Sequence, residues 1–193
     1  MPAEVRVGSD GVARCWWPGD DPLYVAYHDL DWGRPVRDER ELFEKLILDG
    51  AQAGLAWITI LRKREGYRRA FEGFHPEVVA AYGPPDVGRL LADPGIVRNR
   101  QKVAAAISNA QALLAMHEAG ETLVDLVWSH VPAEHPRLKA GADIPVTSPE
   151  AEALSKALRD RGFKFVGPTI IYAFMQAVGV VDDHIEGCFR TTG

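Results

Sequence analysis

Cys15 and Cys188 are the only two cysteines in a chain of 193 residues, one near each end. His28 follows Cys15 by 13 positions, and His184 precedes Cys188 by four. Two thiolates and two imidazoles suit zinc in a closed tetrahedral site, and an i, i+4 pair reaches one ion from a single helical turn. Such an ion would tie the two ends of the chain together, closing a long loop where the entropic benefit of a cross-link is large. Four protein ligands leave no open position, so the role would be structural rather than hydrolytic. The plainer reading is a buried free cysteine and unrelated histidines, because free cysteine behaves as a small core residue.

Aromatic residues crowd the stretch after Cys15. Trp16, Trp17, Tyr24, Tyr27 and Trp32 hold three of the five tryptophans within 17 positions. They fit a small core wrapped around a metal. They equally fit a stacking pocket, whose electron-rich faces hold flat rings and especially cationic ones. Further along, "GFKFVGPT" (162–169) joins two helical stretches through a glycine turn. Backbone N–H groups at such a turn, leading into a helix N-terminus, bind phosphate, although many helix pairs turn at glycine.

These groups need helices to position them. Residues 40–62 carry Leu42, Phe43, Leu46 and Ile47 at helical spacing, with Gly50 and Gly54 as points where the helix could divide. "HPEVVAAY" and "DVGRLLAD" read as short helices separated by "GPP". The longest helix starts near Arg98, is rich in alanine and closes at Gly120. "TLVDLVWSHV" is another, and residues 131–148, with three prolines, read as a loop. "SPEAEALSKALRDRG" has a Ser N-cap, proline at the first helical position and a stop at Gly162; "PTIIYAFMQAVG" follows as a buried helix. The expected fold class is all-α, with no repeat and no linker that splits the chain.

Composition sets the outer bounds. The chain is 47% hydrophobic and 25% charged, enough for one compact domain. There is no apolar run of membrane-spanning length and the N-terminus is polar, so the expected location is the cytosol, with no membrane partner. A net charge of −5 argues against non-specific coating of nucleic acid. The basic residues are nevertheless clustered. "LRKREGYRR", "RNRQK" and "KALRDRGFK" contain 12 of the 22 Lys and Arg. They would form a phosphate-binding face if they converge, or three solvated helix faces if they do not.

Taken in order, "DPLYVAYHDLDWG" after the first Cys, "GAQAGLAWITILRKREGYRRAF", "DPGIVRNRQKVAAAISNA", "LSKALRDRGFKFVGPTIIYAFMQAVGVVDDH" and the final Cys resemble the 3-methyladenine-DNA glycosylase I family of base-excision repair enzymes. The resemblance runs from about residue 13 to 190. It implies a helix-hairpin-helix fold with the hairpin at 163–168 and the basic helix from Arg98 beside it. Residues 13–190 would be a single catalytic domain, in which 13–33 and 180–190 form the metal-binding part. Residues 1–12 read as an untethered extension. The family's one structural zinc ion maps onto Cys15, His28, His184 and Cys188.

The resemblance also assigns a chemistry. The substrate is N3-methyladenine in alkylated double-stranded DNA, whose positive charge makes the base a good leaving group. The enzyme extrudes the base, holds it and lets water cleave the glycosidic bond, leaving an abasic site. Tyr27 and Trp57 would line the base pocket, with Trp17, Tyr24 and Trp32 as an outer aromatic shell. Gly54 and Leu55 of "AGL" would form the wedge that fills the gap left by the flipped nucleotide. Arg98, Lys102, Lys164 and Gly167 would meet the DNA backbone. A monomer is usual for such an enzyme.

This sequence departs from the family pattern at two places. Asp49 stands where the family usually has Glu, a residue that hydrogen-bonds the extruded base; the side chain is one methylene shorter. "DDH" stands where the family commonly reads "NDH", which makes Asp182 a carboxylate for the oxocarbenium-like sugar, a helix cap or a partner for His184. The first departure leaves two rival readings: a DNA-binding member that has lost excision, or a glycosylase with shifted base preference. A zinc hydrolase is disfavoured by the closed ligand set.

Overall fold

The structure, a computed structural model, describes residues 3–192. Among these residues the fold is helical, with one small two-stranded ribbon. The ribbon pairs β1 (Val5–Val7) antiparallel with β2 (Ala13–Cys15), Val5 facing Cys15 and Val7 facing Ala13. Helix α1 (Pro22–Leu30) follows, then α2 (Glu39–Gln52), α3 (Trp57–Leu61), α4 (Arg64–Ala70), α5 (Pro76–Ala80) and α6 (Pro84–Ala92). The long α7 (Arg100–Glu118), α8 (Leu123–Trp128), α9 (Pro149–Asp160) and α10 (Pro168–Ala177) complete the order.

Helix boundaries follow local chemistry. The Asp38 side chain accepts from Glu41 N and starts α2, and Asn99 does the same for α7 through Gln101 N and Lys102 N. Ser148 caps α9 ahead of Pro149, as its sequence signature predicts. Residues 40–62 do divide, at 53–56 between α2 and α3.

Helix α2 is the hub. Its Leu42, Phe43 and Leu46 are buried, and it packs on α10, α7 and α8. Leu113 of α7, Leu154 and Leu158 of α9, and Ile171, Phe174 and Met175 of α10 close the core around it. The 162–167 turn between α9 and α10 is pinned to α7: Asn109 Nδ2 donates to Lys164 O at 3.0 Å, and Lys164 N donates back to Asn109 Oδ1 at 2.7 Å. Ser155 adds a 2.6 Å bond to Val166 O. A turn joining two helices, held beside the long α7, thus lies where the hairpin was expected.

Three expectations need correction. The described part of the N-terminal extension is not untethered. Ala3 is fully buried, its N–H donates to Ala142 O at 3.0 Å, and its carbonyl accepts from Gly141 N at 2.7 Å. Alternating short apolar residues in "AEVRV" suffice for a ribbon once Ala13–Cys15 supplies a partner strand. His184 and Cys188 do not share a helical turn; the chain there is irregular, with a tight turn closed by Cys188 N on Ile185 O at 2.9 Å. Gly179 and Gly187, both at positive φ, bound the irregular stretch between α10 and a short 3-10 turn at Phe189–Thr192. Finally, α1 and α4 are helices that periodicity had not flagged. Their short lengths, with tyrosines in one and a basic run in the other, hide the apolar stripe. The Asp21-Pro22 pair is the legible start signal of α1: Asp21 Oδ1 accepts from Leu23 N at 3.0 Å and Tyr24 N at 3.2 Å.

Candidate active site and metal centre

A cleft of about 210 Å³ opens between α1, α2, α3, α10 and the 131–148 loop. Trp17, Tyr24, Tyr27, Trp32, Asp49 and Trp57 all line it. The structure thus brings together every residue expected in the base pocket or its aromatic shell. The rings pack mainly edge to face. Trp17 lies 4.9 Å from Tyr24 and 5.1 Å from Trp32, centroid to centroid, and Tyr27 lies 5.4 Å from Trp57 at a 44° tilt. Helical spacing explains Tyr24 and Tyr27, which fall one turn apart on α1.

Asp49 is the carboxylate that α2 delivers to this aromatic wall. It is buried, and its Oδ2 has no hydrogen-bond partner among the described residues; the same holds for Trp57 Nε1. Burial pushes the Asp49 carboxyl up to about 7, against a smaller opposing pull from Lys45 one turn earlier. Lys45 is itself committed to Asp31 at 2.8 Å, and Arg64 engages the other Asp31 oxygen. Desolvation alone would raise the Asp31 carboxyl, but these two cations hold it below its ordinary range. An unpartnered carboxylate in an electron-rich cleft is a receptor for a flat, positively charged ring.

Behind the aromatic wall lie the cysteines. Cys15, His28 and Cys188 are buried, with ligand atoms all within 4.8 Å of one another, a group that could hold a metal ion. His28 Nε2 is 3.5 Å from Cys188 Sγ, while its Nδ1 donates to Asp29 Oδ1 at 2.7 Å. Arg14 fixes Asp29 in turn at 2.8 Å. Hydrogen bonds from Cys15 and then from His28 draw the Cys188 thiol down, while the contact with Cys188 and burial push the Cys15 thiol up, so the two sulfurs share a proton. The fourth expected ligand, His184, stands outside this tight group. Its ring is 5.3 Å from that of His28 and buried, and its Nδ1 donates to Asp182 Oδ1 at 2.7 Å. That leaves His184 Nε2 as an orphaned buried nitrogen. Gly33, at φ 74°, makes room for it: a Cβ there would lie 2.6 Å from His184 Cε1. Soft thiolates, two oriented imidazoles and an unsatisfied nitrogen fit zinc.

Asp182 accordingly spends its carboxylate on the His184 ring and backbone. Its neighbour Asp183, which sequence reasoning passed over, is the one of the two that lines the cleft, beside Asp49. It accepts from Tyr172 OH at 2.7 Å, Gln176 Nε2 at 2.6 Å and His135 Nε2 at 2.8 Å. Adjacent residues in extended chain point opposite ways, so "DDH" places one acid on each side; sequence alone does not say which.

Gly54 sits at φ 77° in the turn after α2, and Leu55 beside it is 40% exposed; the cleft-lining Gln52 and Trp57 flank this turn in sequence. Arg98 and Lys164 are exposed, and Gly167 is the N-cap of α10. Lys102 departs from expectation. Its Nζ donates to Ala51 O at 2.7 Å and Ala53 O at 2.6 Å, capping the C-terminus of α2 directly beneath the Gly54–Leu55 turn. Burial lowers its pKa. The basic clusters are also partly neutralised: Arg62 pairs with Asp21, Arg68 with Glu44 and Arg161 with Glu121.

A fold of helices around a pinned hairpin, with an aromatic, carboxylate-bearing cleft, is that of a base-excising glycosylase. Comparison with known proteins gives the same answer. The family described as methyladenine glycosylase matches residues 17–191. DNA-3-methyladenine glycosylase 1 of Escherichia coli (strain K12) is 52% identical over 179 residues, covering 92% of this chain and 96% of that protein. DNA-3-methyladenine glycosylase of Haemophilus influenzae is 45% identical over 182 residues, covering 92% and 97%. A crystal structure of a 3-methyladenine DNA glycosylase I superposes with a TM-score of 0.87 at 54% identity, covering 91% of this chain and 98% of that one. A Staphylococcus aureus structure concerned with 3-methyladenine recognition also reaches 0.87, at 36% identity and 93% and 97% coverage. The chain belongs to the methyladenine glycosylase family.

Proposed function

We propose that this protein is a monofunctional DNA glycosylase that flips N3-methyladenine out of alkylated duplex DNA and releases it by hydrolysis. The observation that carries this reading is the buried, unpartnered Asp49 oxygen in a cleft walled by Tyr27 and Trp57. Tyr27 and Trp57 hold the cationic base by its faces, and Asp49 accepts hydrogen bonds from its edge. Normal adenine is neutral and gains less from either contact. Trp17, Tyr24 and Trp32 keep the two inner rings in place and exclude water. As the glycosidic bond breaks, its electron pair goes to the base, which leaves neutral. Water adds to the sugar C1′ and its proton goes to solvent, leaving an abasic site.

Gly54 and Leu55 enter the stack as the wedge. Arg98, Lys164 and the α10 N-terminus at Gly167 hold the backbone through charge and exposed N–H groups. Lys102 does not join them; its ammonium is held by the turn that presents the wedge. Zinc would be bound by Cys15, His28, His184 and Cys188, with the His184 ring closing on the other three. Its contribution is to fix β2 and α1 to the C-terminal segment. The protein acts as a cytosolic monomer; no helix among the described residues is long and apolar enough to cross a membrane.

The test is to incubate the protein with alkylated duplex DNA and quantify free bases by chromatography, beside Asp49→Glu. Release of 3-methyladenine by both supports the reading. Release by the variant alone would mean that Asp49 has cost this chain the activity, and release by neither would overturn it.

A further inference from the structure

The 131–148 loop forms one wall of the cleft through Leu138 and Ile144. Near Leu138 the C-terminal segment holds it: Glu186 N donates to Leu138 O at 2.7 Å, and His135 meets Asp183 at 2.8 Å. Near Ile144 the anchor comes from the other end of the chain. Ala3 exchanges both backbone hydrogen bonds with Gly141 and Ala142. Ile144 packs in one apolar cluster with Ala3, Val5, Trp16 and Trp17. Val5 is fixed by pairing with Cys15, and Trp16 N donates to Glu4 O at 3.0 Å. Residues 3–7 therefore run from the metal-binding segment to the cleft wall, and they lie outside the 17–191 match to the family.

We infer that residues 3–7 are a specificity-determining strap: by clamping Gly141–Ala142 they hold Ile144 against the cleft and limit the size of the N3 substituent that enters. The inference rests on the proposed base pocket. A wall residue beside a cleft of about 210 Å³ decides whether one further methylene fits. Such a difference is worth roughly 10- to 200-fold in discrimination where the wall is rigid. Freed from Ala3, residues 139–146 become a loop that yields to a larger base, and discrimination falls.

The experiment compares the full chain with a variant lacking residues 1–7, with Ala3→Glu and with Ile144→Ala. Release of 3-methyladenine and 3-ethyladenine from alkylated duplex DNA is measured, together with affinity for the two free bases and amide exchange over 138–146. Removal of the strap is expected to raise ethyl relative to methyl by about tenfold in release and in free-base affinity. Exchange at 141–146 should accelerate. In the Ile144→Ala background, strap removal should add little, because both changes act through one wall. Should the truncated chain fail to fold, Ala3→Glu reads the same contact. A ratio within about twofold of the full chain in the folded variants, or unchanged exchange, overturns the strap. A shifted affinity ratio with no excision by the full chain would instead overturn the glycosylase reading and leave the strap standing.

Discussion

Tyr27 and His28 are consecutive residues of one nine-residue helix, yet they serve different sites. The Tyr27 ring lies 5.4 Å from Trp57 in the cleft, while His28 Nε2 lies 3.5 Å from Cys188 Sγ in the cysteine cluster. A short helix gains little from its own hydrogen bonds. Its position is set by what each face is fastened to, so the cysteine cluster and the aromatic cleft are mechanically one object.

Removing the metal should therefore impair base binding without touching a cleft residue. Cys188→Ser, or prolonged chelation, is expected to lower Tm by at least about 10 °C, since a structural zinc contributes several kcal/mol of folding free energy. Affinity for free 3-methyladenine should fall in parallel. Metal analysis of the untreated protein, with one zinc per chain expected, checks the premise.

Asp49 gives a pH dependence with a definite sign. Its carboxyl is raised from 3.8 to about 7 in the fold. Between those values the folded state holds a proton that the unfolded chain has lost, so stability falls as pH rises from about 4 to 7. Asp49→Asn should abolish that slope and stabilise the free protein at pH 8 by up to roughly 4 kcal/mol, at about 1.4 kcal/mol per unit. Binding a cation needs the ionised form. kcat/KM for base release should thus rise with pH through about 7 and level off. Asp49→Asn should cut release by about 100-fold or more, as removal of a charge-assisted hydrogen bond predicts. Denaturant titrations at several pH values, beside the pH–rate profile, check both halves.

The wedge can be tested by comparing duplex with single strand. Leu55→Ala should reduce release from duplex DNA by about tenfold, because the gap left by the flipped base is no longer filled. Release from single-stranded DNA, where no stack has to be opened, should change little.

Salt dependence separates the cations. Arg98→Ala with Lys164→Ala should lower the slope of log K against log salt by about two, one for each phosphate no longer neutralised. Lys102→Met should leave the slope unchanged, since its ammonium is bonded to Ala51 O and Ala53 O. It should still slow duplex excision, because the turn carrying Leu55 loses its brace.

Much of this protein was legible in its sequence. Glycine stops announced the ends of α7 and α9, and a Ser N-cap the start of α9, since those signals act over a few residues of backbone. The rarity of cysteine picked out Cys15 and Cys188, and the ordered motifs pointed to Tyr27, Asp49 and Trp57 for the cleft. Tertiary structure decided what depends on direction rather than type. Whether Asp182 or Asp183 faces the cleft turns on backbone torsion in an irregular segment. Whether Lys102 meets a phosphate or two carbonyls depends on how α7 docks beside the end of α2. Residues 3–7 look like a loose polar tail in isolation, because a three-residue strand has no stability until a partner strand and an apolar neighbour are supplied from elsewhere in the chain. Ala13–Cys15 and Ile144 supply them here.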